Sequence, residues 1–287
     1  MDRIEHLAQL GAHIEGSQVL RFQTLEVEWR AVQTGAVIAE LGHRDLIFIE
    51  GPDAPAYLNR LLTFDVASMK PGEGARPFLL SARGKILLAF NLYRLDEGRF
   101  YIDASPQHSD AIKTRLEMFH FGENLVWDDL PLGTTIISLQ GAEVQTILET
   151  LGIVGPTSVR SHCEVEIEGR PVRVVRIDRC GQKGYDFWLQ GDDFGPVWSH
   201  LLNVGAKPVG NLTLEVLRIT NGEPEHPGEF GEHSNPLEAD GMDGISEGKG
   251  CYPGQEVIER TLALGRPARK LIRVKSSVPI TPGPLTN

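Results

Sequence analysis

The sequence predicts an α+β chain. Three observations lead there. Strand-like and helix-like segments follow one another without a strict βαβ rhythm. The chain has 287 residues, 41% of them apolar, enough for one large domain or two packed ones. It is acidic, with 28 Lys plus Arg against 39 Asp plus Glu and a net charge of -11. Such a composition excludes disorder, collagen and coiled coil as the main state. The acidity argues against coating of DNA, because phosphate is repelled.

The elements follow in order. Residues 26–40 place Val27, Val32, Val37 and Ile38 at roughly helical intervals, weakened by Gly35. Residues 45–50 (DLIFIE) form a short strand, and Asp53 is expected to cap the helix after it. That helix carries Ala54, Tyr57, Leu58, Leu61 and Leu62 on one face. Pro71-Gly72 marks a loop. Phe78–Leu80 and Ile86–Leu92 then flank a turn at Ser81-Ala82-Arg83-Gly84-Lys85, whose glycine suits a positive φ. A strand is expected at Arg99–Asp103 and a helix over 106–121. Another strand follows at Thr134–Leu139 and another helix at Ala142–Leu151. Residues 163–190 read as two strands, and Asp193–Val204 and Leu212–Ile219 as helices. Between 219 and 248 there is no Lys or Arg and there are eight carboxylates, with Pro and Gly throughout. A loop of that length is usually functional or flexible. From 249 to 275 the balance reverses, to seven Lys or Arg against Glu256 and Glu259. A last strand is expected at Lys270–Lys275.

The three cysteines, Cys163, Cys180 and Cys251, form no CxxC pair and no disulfide framework. A structural zinc site is not expected. No run of 18 apolar residues and no secretion signal occur, so a cytoplasmic protein that does not cross a membrane is expected. His226 and His233, with acids at 223, 225, 229 and 232, are spaced irregularly and read as a solvated acidic loop rather than a metal site. In Ser161-His162-Cys163 the His and Cys point to opposite faces of a strand.

The sharpest segment is Lys249-Gly250-Cys251-Tyr252-Pro253-Gly254-Gln255-Glu256. Two glycines and a proline set a tight loop before a helix. An adjacent ammonium and a helix N-terminus both favour a thiolate. Cys251 with Lys249 is therefore a candidate reactive patch, and Cys163 and Cys180 read as structural or incidental. A buried, inert Cys251 in a packed turn is the alternative.

KGCYPGQE resembles the K-G-C-[YF]-x-G-Q-E signature of YgfZ-type folate-binding proteins, relatives of the T-protein (aminomethyltransferase) of the glycine cleavage system. Gly51-Pro52-Asp53-Ala54 with Tyr57-Leu58, Thr63-Phe64-Asp65-Val66, Ser81–Ile86 and Leu217–Pro224 are similar to further family segments, in the same order, over about residues 25–275. The resemblance implies an aminomethyltransferase-like folate-binding body with a central cavity over 1–260. That body divides into subdomains near 1–130 and 131–260. A short or incomplete remnant of a C-terminal β-barrel follows at 261–287. It implies tetrahydrofolate or another reduced folate as the ligand. It also implies a role in iron–sulfur cluster assembly or repair, and thereby tRNA modification, with iron–sulfur client or assembly proteins as partners.

Within the resemblance, Arg179–Asp186 matches the T-protein stretch that ends in the carboxylate accepting the pterin N–H groups. Asp186 falls on that carboxylate, one methylene shorter than the family's Glu, and Arg179 replaces the family's Tyr. Tyr185, Arg218, Tyr252 and Gln255 are the other expected folate contacts. The catalytic Asp of T-proteins falls on Leu88-Ala89, which carry no acid–base chemistry. Asp96 reads as a turn former. A binding protein is thus favoured. A folate-dependent aminomethyl- or methyltransferase, and a scaffold with a vestigial cavity, are the alternatives.

Overall fold

The computed structural model describes residues 3–276 except 131, 132, 180 and 182. The chain begins with α1 (Arg3–Gln9), the hairpin β1 (His13–Glu15) and β2 (Gln18–Arg21), and α2 (Leu25–Thr34). Next come β3 (Ala36–Glu40), β4 (Asp45–Glu50) and α3 (Ala54–Leu61). Then follow β5 (Gly74–Ala75), β6 (Phe78–Leu80), β7 (Ile86–Ala89), β8 (Asn91–Arg94), β9 (Arg99–Ala104), α4 (Ser109–Glu117) and β10 (Val126–Asp129). The second half supplies β11 (Thr135–Gly141), α5 (Val144–Thr150), β12 (His162–Ile167), β13 (Arg170–Arg176), β14 (Gly184–Leu189) and α6 (Gly191–Asn203). It ends with β15 (Lys207–Pro208), α7 (Asn211–Asn221), a 3-10 turn at Met242–Gly244 and α8 (Gln255–Ala263).

Two sheets organise the molecule. One has five strands in the order β10-β4-β9-β8-β5, and the other six in the order β12-β13-β14-β11-β3-β15. All their pairings are antiparallel except β15 with β3. This is the α+β class expected. The five-stranded sheet packs Ile47, Ile49, Phe100 and Ile102 against α3 and α4 through Tyr57, Leu58, Leu61, Ile112 and Leu116. The six-stranded sheet packs Ile137, Leu139, Phe187 and Leu189 against α5 and α6 through Leu148, Val197, Trp198 and Leu201. A third cluster lies between the sheets. Leu46 and Tyr93 from the first meet Val37, Ala39, Ile136, Val175 and Trp188 from the second. A fourth joins the β6–β7 hairpin to the late chain through Phe78, Ile86, Phe230, Tyr252 and Ile258.

Several expectations are corrected. Residues 26–40 are not one helix, because α2 stops at Thr34 and an extended Gly35 turns the chain into fully buried β3. Val37 and Ile38 are β-branched residues on a doubly covered strand, which imitates helical spacing over a short window. Residues 86–92 split into β7 and β8, which belong to different sheets. Residues 163–190 form three strands, because Glu168-Gly169, both at positive φ, turn the chain between β12 and β13. The helix expected over 106–121 is the shorter α4. Asp53 occupies the N-cap position of α3 but makes no capping bond; its Oδ2 accepts from the Asn124 amide at 2.7 Å. Lys270–Lys275 forms no strand; Leu271 N donates to Glu238 O at 2.8 Å, and Lys270 Nζ lies 3.1 Å from Asp240 Oδ1. Among the described residues no closed barrel forms. The acidic loop is only in part a solvated face: Glu223, Glu232, His233, Asp240, Asp243 and Glu247 are exposed, and other members fold back. Glu229 and Glu238 pair with Arg218 and Arg269, and His226 is buried against His108 and Phe230.

Candidate functional site

A cavity of about 750 Å³ opens beside the inter-sheet cluster. Its lining includes the apolar Leu41, Ala89 and Phe90 and the charged Arg44, Asp103, Arg160, Arg179 and Arg218. Glu225 and His226 of the acidic loop complete it. No helix among the described residues is long and apolar enough to cross a membrane. Among them, too, no three metal-ligating side chains come together.

Strand alternation decides what reaches this space. On β14, Tyr185, Phe187 and Leu189 face the helix-covered core. Trp188 faces the other sheet, and Asp186, two residues away, shares its face. Asp186 is fully buried, opposite Ser138 on β11 and Val175 on β13. Arg179 comes from the loop before β14. Its Nε and Nη2 both donate to Asp186 Oδ2, at 2.9 and 2.6 Å, and Nη2 also donates to Asp103 Oδ2 at 2.8 Å. Asp186 Oδ1 is buried and has no hydrogen bond of normal geometry.

Asp103 is the residue the sequence reading missed. It lies on β9, fully buried, and contributes to the cavity wall. Arg44 Nε donates to its Oδ1, and Asn91 Nδ2 donates to its Oδ2 at 3.0 Å. Arg160 Nε in turn donates to Asn91 Oδ1 at 3.0 Å. The available signal was a lone acid in an apolar strand, Phe100-Tyr101-Ile102-Asp103-Ala104, since a buried charge demands partners. Burial pushes the Asp103 carboxyl up, but the two guanidiniums outweigh it and hold it at about 2. Burial dominates at Asp186 and raises its pKa despite Arg179, and the nearby Asp103 charge adds to the rise. Burial also opposes the charge on Arg179, but Asp186 and Asp103 keep it protonated throughout. His43 beside this cluster falls to about 4, through burial and then Arg44 and Arg179, so it is neutral at pH 7.

Glu225 reaches the cavity from the loop. Its Oε1 accepts from Ser105 Oγ at 2.9 Å and lies 3.4 Å from Arg44 Nη1. Arg218, on α7, is held by Glu215 and by Glu229, the latter at 2.9 Å.

Of the predicted site residues, the cavity brings together Arg179 and Arg218, with Asp186 directly behind Arg179. Tyr185 packs into the opposite core, under Arg176 and Lys183. Lys249, Cys251, Tyr252 and Gln255 do not line the cavity. Lys249 Nζ donates to the carbonyls of Asn59, Leu62 and Phe64 at 2.5, 2.5 and 2.9 Å, closing the C-terminal end of α3. It also lies 5.2 Å from the centre of the Tyr252 ring. Burial lowers its pKa to about 8, which still leaves it charged at neutral pH. Cys251 is exposed, and Gln255 Nε2 donates to Glu259 Oε1 at 2.6 Å. Cys163 is half-buried with its thiol pKa raised by burial; Cys180 lies outside the described residues. Leu88 and Ala89 are buried, and only Ala89 touches the cavity. Asp96 is a turn former, accepting from the Gly98 and Arg99 amides.

The family described as the GCVT N-terminal domain matches residues 8–245. An aminomethyltransferase of Thermus thermophilus is 26% identical over 220 residues, 76% of this chain and 63% of that protein. A putative chloroplastic transferase of Arabidopsis thaliana is 26% identical over 257 residues, 88% of this chain and 59% of that one. The chain thus spans about three-fifths of the length of these curated relatives. The crystal structure of glycine cleavage system aminomethyltransferase T from Bartonella henselae superposes with a TM-score of 0.79. It is 23% identical and covers 91% of this chain and 74% of that one, a likeness of fold.

Proposed function

This chain belongs to the family of the GCVT N-terminal domain, and on that basis we propose that it binds a reduced folate, such as tetrahydrofolate, in the cavity between its two sheets. The observation that carries the reading is the cavity itself. Its volume of about 750 Å³ falls in the range of small-molecule sites. Its lining combines apolar side chains with a few fixed polar groups, the composition that suits a flat heterocycle. At its deep end Arg179, backed by the buried Asp103 and Asp186, presents a fixed polar group to a ring edge. Tetrahydrofolate, once bound, would supply one-carbon chemistry; Arg179, held in place by Asp103 and Asp186, would orient it.

The finer reading is a YgfZ-type protein of the cytoplasm that supports iron–sulfur cluster assembly or repair, and so tRNA modification. It rests on the KGCYPGQE segment, with Cys251 exposed on its loop as the candidate reactive group and Lys249 beside it in sequence. A second reading is a folate-dependent aminomethyl- or methyltransferase, favoured by the relatives' names and by an ionised Asp103 in the cavity wall. Both Asp103 oxygens are already taken by Arg44, Arg179 and Asn91, and Leu88-Ala89 add no carboxylate. Binding without aminomethyl transfer is therefore favoured.

Calorimetric titration with tetrahydrofolate tests the binding reading. Saturable binding at one site is expected, and no heat at millimolar ligand would end it. Transfer from the natural aminomethyl donor at a hundredth or more of a T-protein's rate would instead establish the second reading.

A further inference from the structure

We propose that Arg179 is a specificity-determining residue of the cavity: its guanidinium occupies the donor position against Asp186 and presents N–H groups to the ligand, so the deep end selects a ring edge that carries an acceptor. The assignment rests on the folate reading above. In the geometry, Nε and both hydrogens of Nη2 are committed, because Nη2 serves Asp186 Oδ2 and Asp103 Oδ2 at once. Nη1 has no hydrogen-bond partner among the described residues, and Arg179 forms part of the cavity wall with 13% of its side chain exposed. A guanidinium fork carries the same parallel donors that a pterin presents to a carboxylate. Arg179 therefore fulfils for Asp186 Oδ2 the part a ligand would otherwise play, and its remaining donors face the cavity. The anchor is rigid. Two fully buried carboxylates hold the guanidinium, and Arg44 and Asn91 fix one of those carboxylates from the other side.

The consequence is a choice between ring substituents. A 4-oxopteridine offers a carbonyl oxygen to a donor. Its 4-amino counterpart offers an amino group at the same position, donor against donor, next to a permanent positive charge. A mismatch of this kind in a buried site is rejected because neither group regains the partner it had in water.

The test compares binding of tetrahydrofolate and 4-amino-4-deoxytetrahydrofolate, which differ at that position, by calorimetry on the whole chain. Wild type is expected to bind the 4-oxo compound about 10- to 100-fold more tightly. In Arg179→Gln, whose fold is checked by its thermal unfolding, the ratio is expected to fall towards one or invert, because Asp186 is released to accept N–H groups. Arg179→Lys, which keeps the charge but not the fork, is expected to lie between. Wild-type affinities within about threefold of each other, or an unchanged ratio in a folded Arg179→Gln, overturn the assignment and leave the folate reading standing. Failure of wild type to bind either compound overturns the folate reading, and the assignment with it. If Arg179→Gln does not fold, the wild-type ratio and Arg179→Lys decide.

Discussion

Arg179 joins two buried carboxylates that come from different sheets, Asp103 on β9 and Asp186 on β14. Removing the cation leaves both without it in a low-dielectric interior. Arg179→Ala is therefore expected to destabilise the fold by about 3–5 kcal/mol, the usual cost of breaking a buried pair from one side. Urea unfolding at pH 7 reads this out, and a loss under 1 kcal/mol would show that the cluster is solvated. Asp103 adds a pH dependence. Its folded pKa of about 2 lies below the unfolded value, so its contribution is complete above the unfolded pKa and lost as pH falls through about 2. Asp103→Asn should flatten that acid limb of the stability curve. The residue scale is also where the sequence is hardest to read. Asp186 and Arg179 stand out because they match and depart from a family stretch. Asp103, 83 residues before Asp186, meets Arg179 only after β8, β9 and β14 are placed, and no local spacing announces that contact. At the thiols, iodoacetamide at neutral pH should label exposed Cys251 faster than half-buried Cys163. The reverse order would remove Cys251 as the candidate reactive group.

Among the elements, the β6–β7 hairpin and the start of α8 were legible and turn out to pack on each other. Gly84, in the turn, has φ +69, and Gly254, ahead of α8, has φ +78. A Cβ on Gly254 would come within 2.5 Å of the Ser81 carbonyl oxygen and 2.9 Å of Gly84 Cα. Both obstacles are backbone, which cannot swing away. Gly254→Ala should cost more than the roughly 1 kcal/mol of left-handed strain alone. A neutral result in thermal unfolding would mean that the loop moves freely. Lys249 ties the same segment to α3. Two of the misread segments, residues 26–40 and 163–190, fail for different reasons: the first hides a strand covered on both faces, and the second hides the Glu168-Gly169 turn between β12 and β13. In β3 every side chain is buried. Such strands lose the polar alternation by which a half-exposed strand is recognised. The half-exposed β12, with its alternating burial, shows that pattern plainly.

At the scale of the molecule, His43, His162 and His226 are each neutral in the fold, with pKa values lowered to about 4, in every case chiefly by burial. The unfolded chain takes up their protons near pH 6.5 and the native one does not. Stability should therefore fall between pH 6.5 and 4, where the unfolded state binds more protons, and these groups should add nothing to the slope below 4. Denaturant midpoints across that range test it, and a flat profile would mean that the three rings are protonated in the native state. The α+β class was legible because strand-like and helix-like segments follow one another without a strict βαβ rhythm. What the sequence did not display is how the acidic loop at 219–248 folds back. Its carboxylates seek arginines scattered from Arg44 to Arg269, and such pairings are set by the tertiary fold rather than by spacing. The space between the sheets is proposed to be a folate site. A crystal structure of the chain saturated with tetrahydrofolate tests it most directly. Ring density is expected in the cavity bounded by Ala89, Phe90, Asp103 and Arg179. An empty cavity at saturating ligand, or the ligand bound elsewhere on the surface, would contradict it.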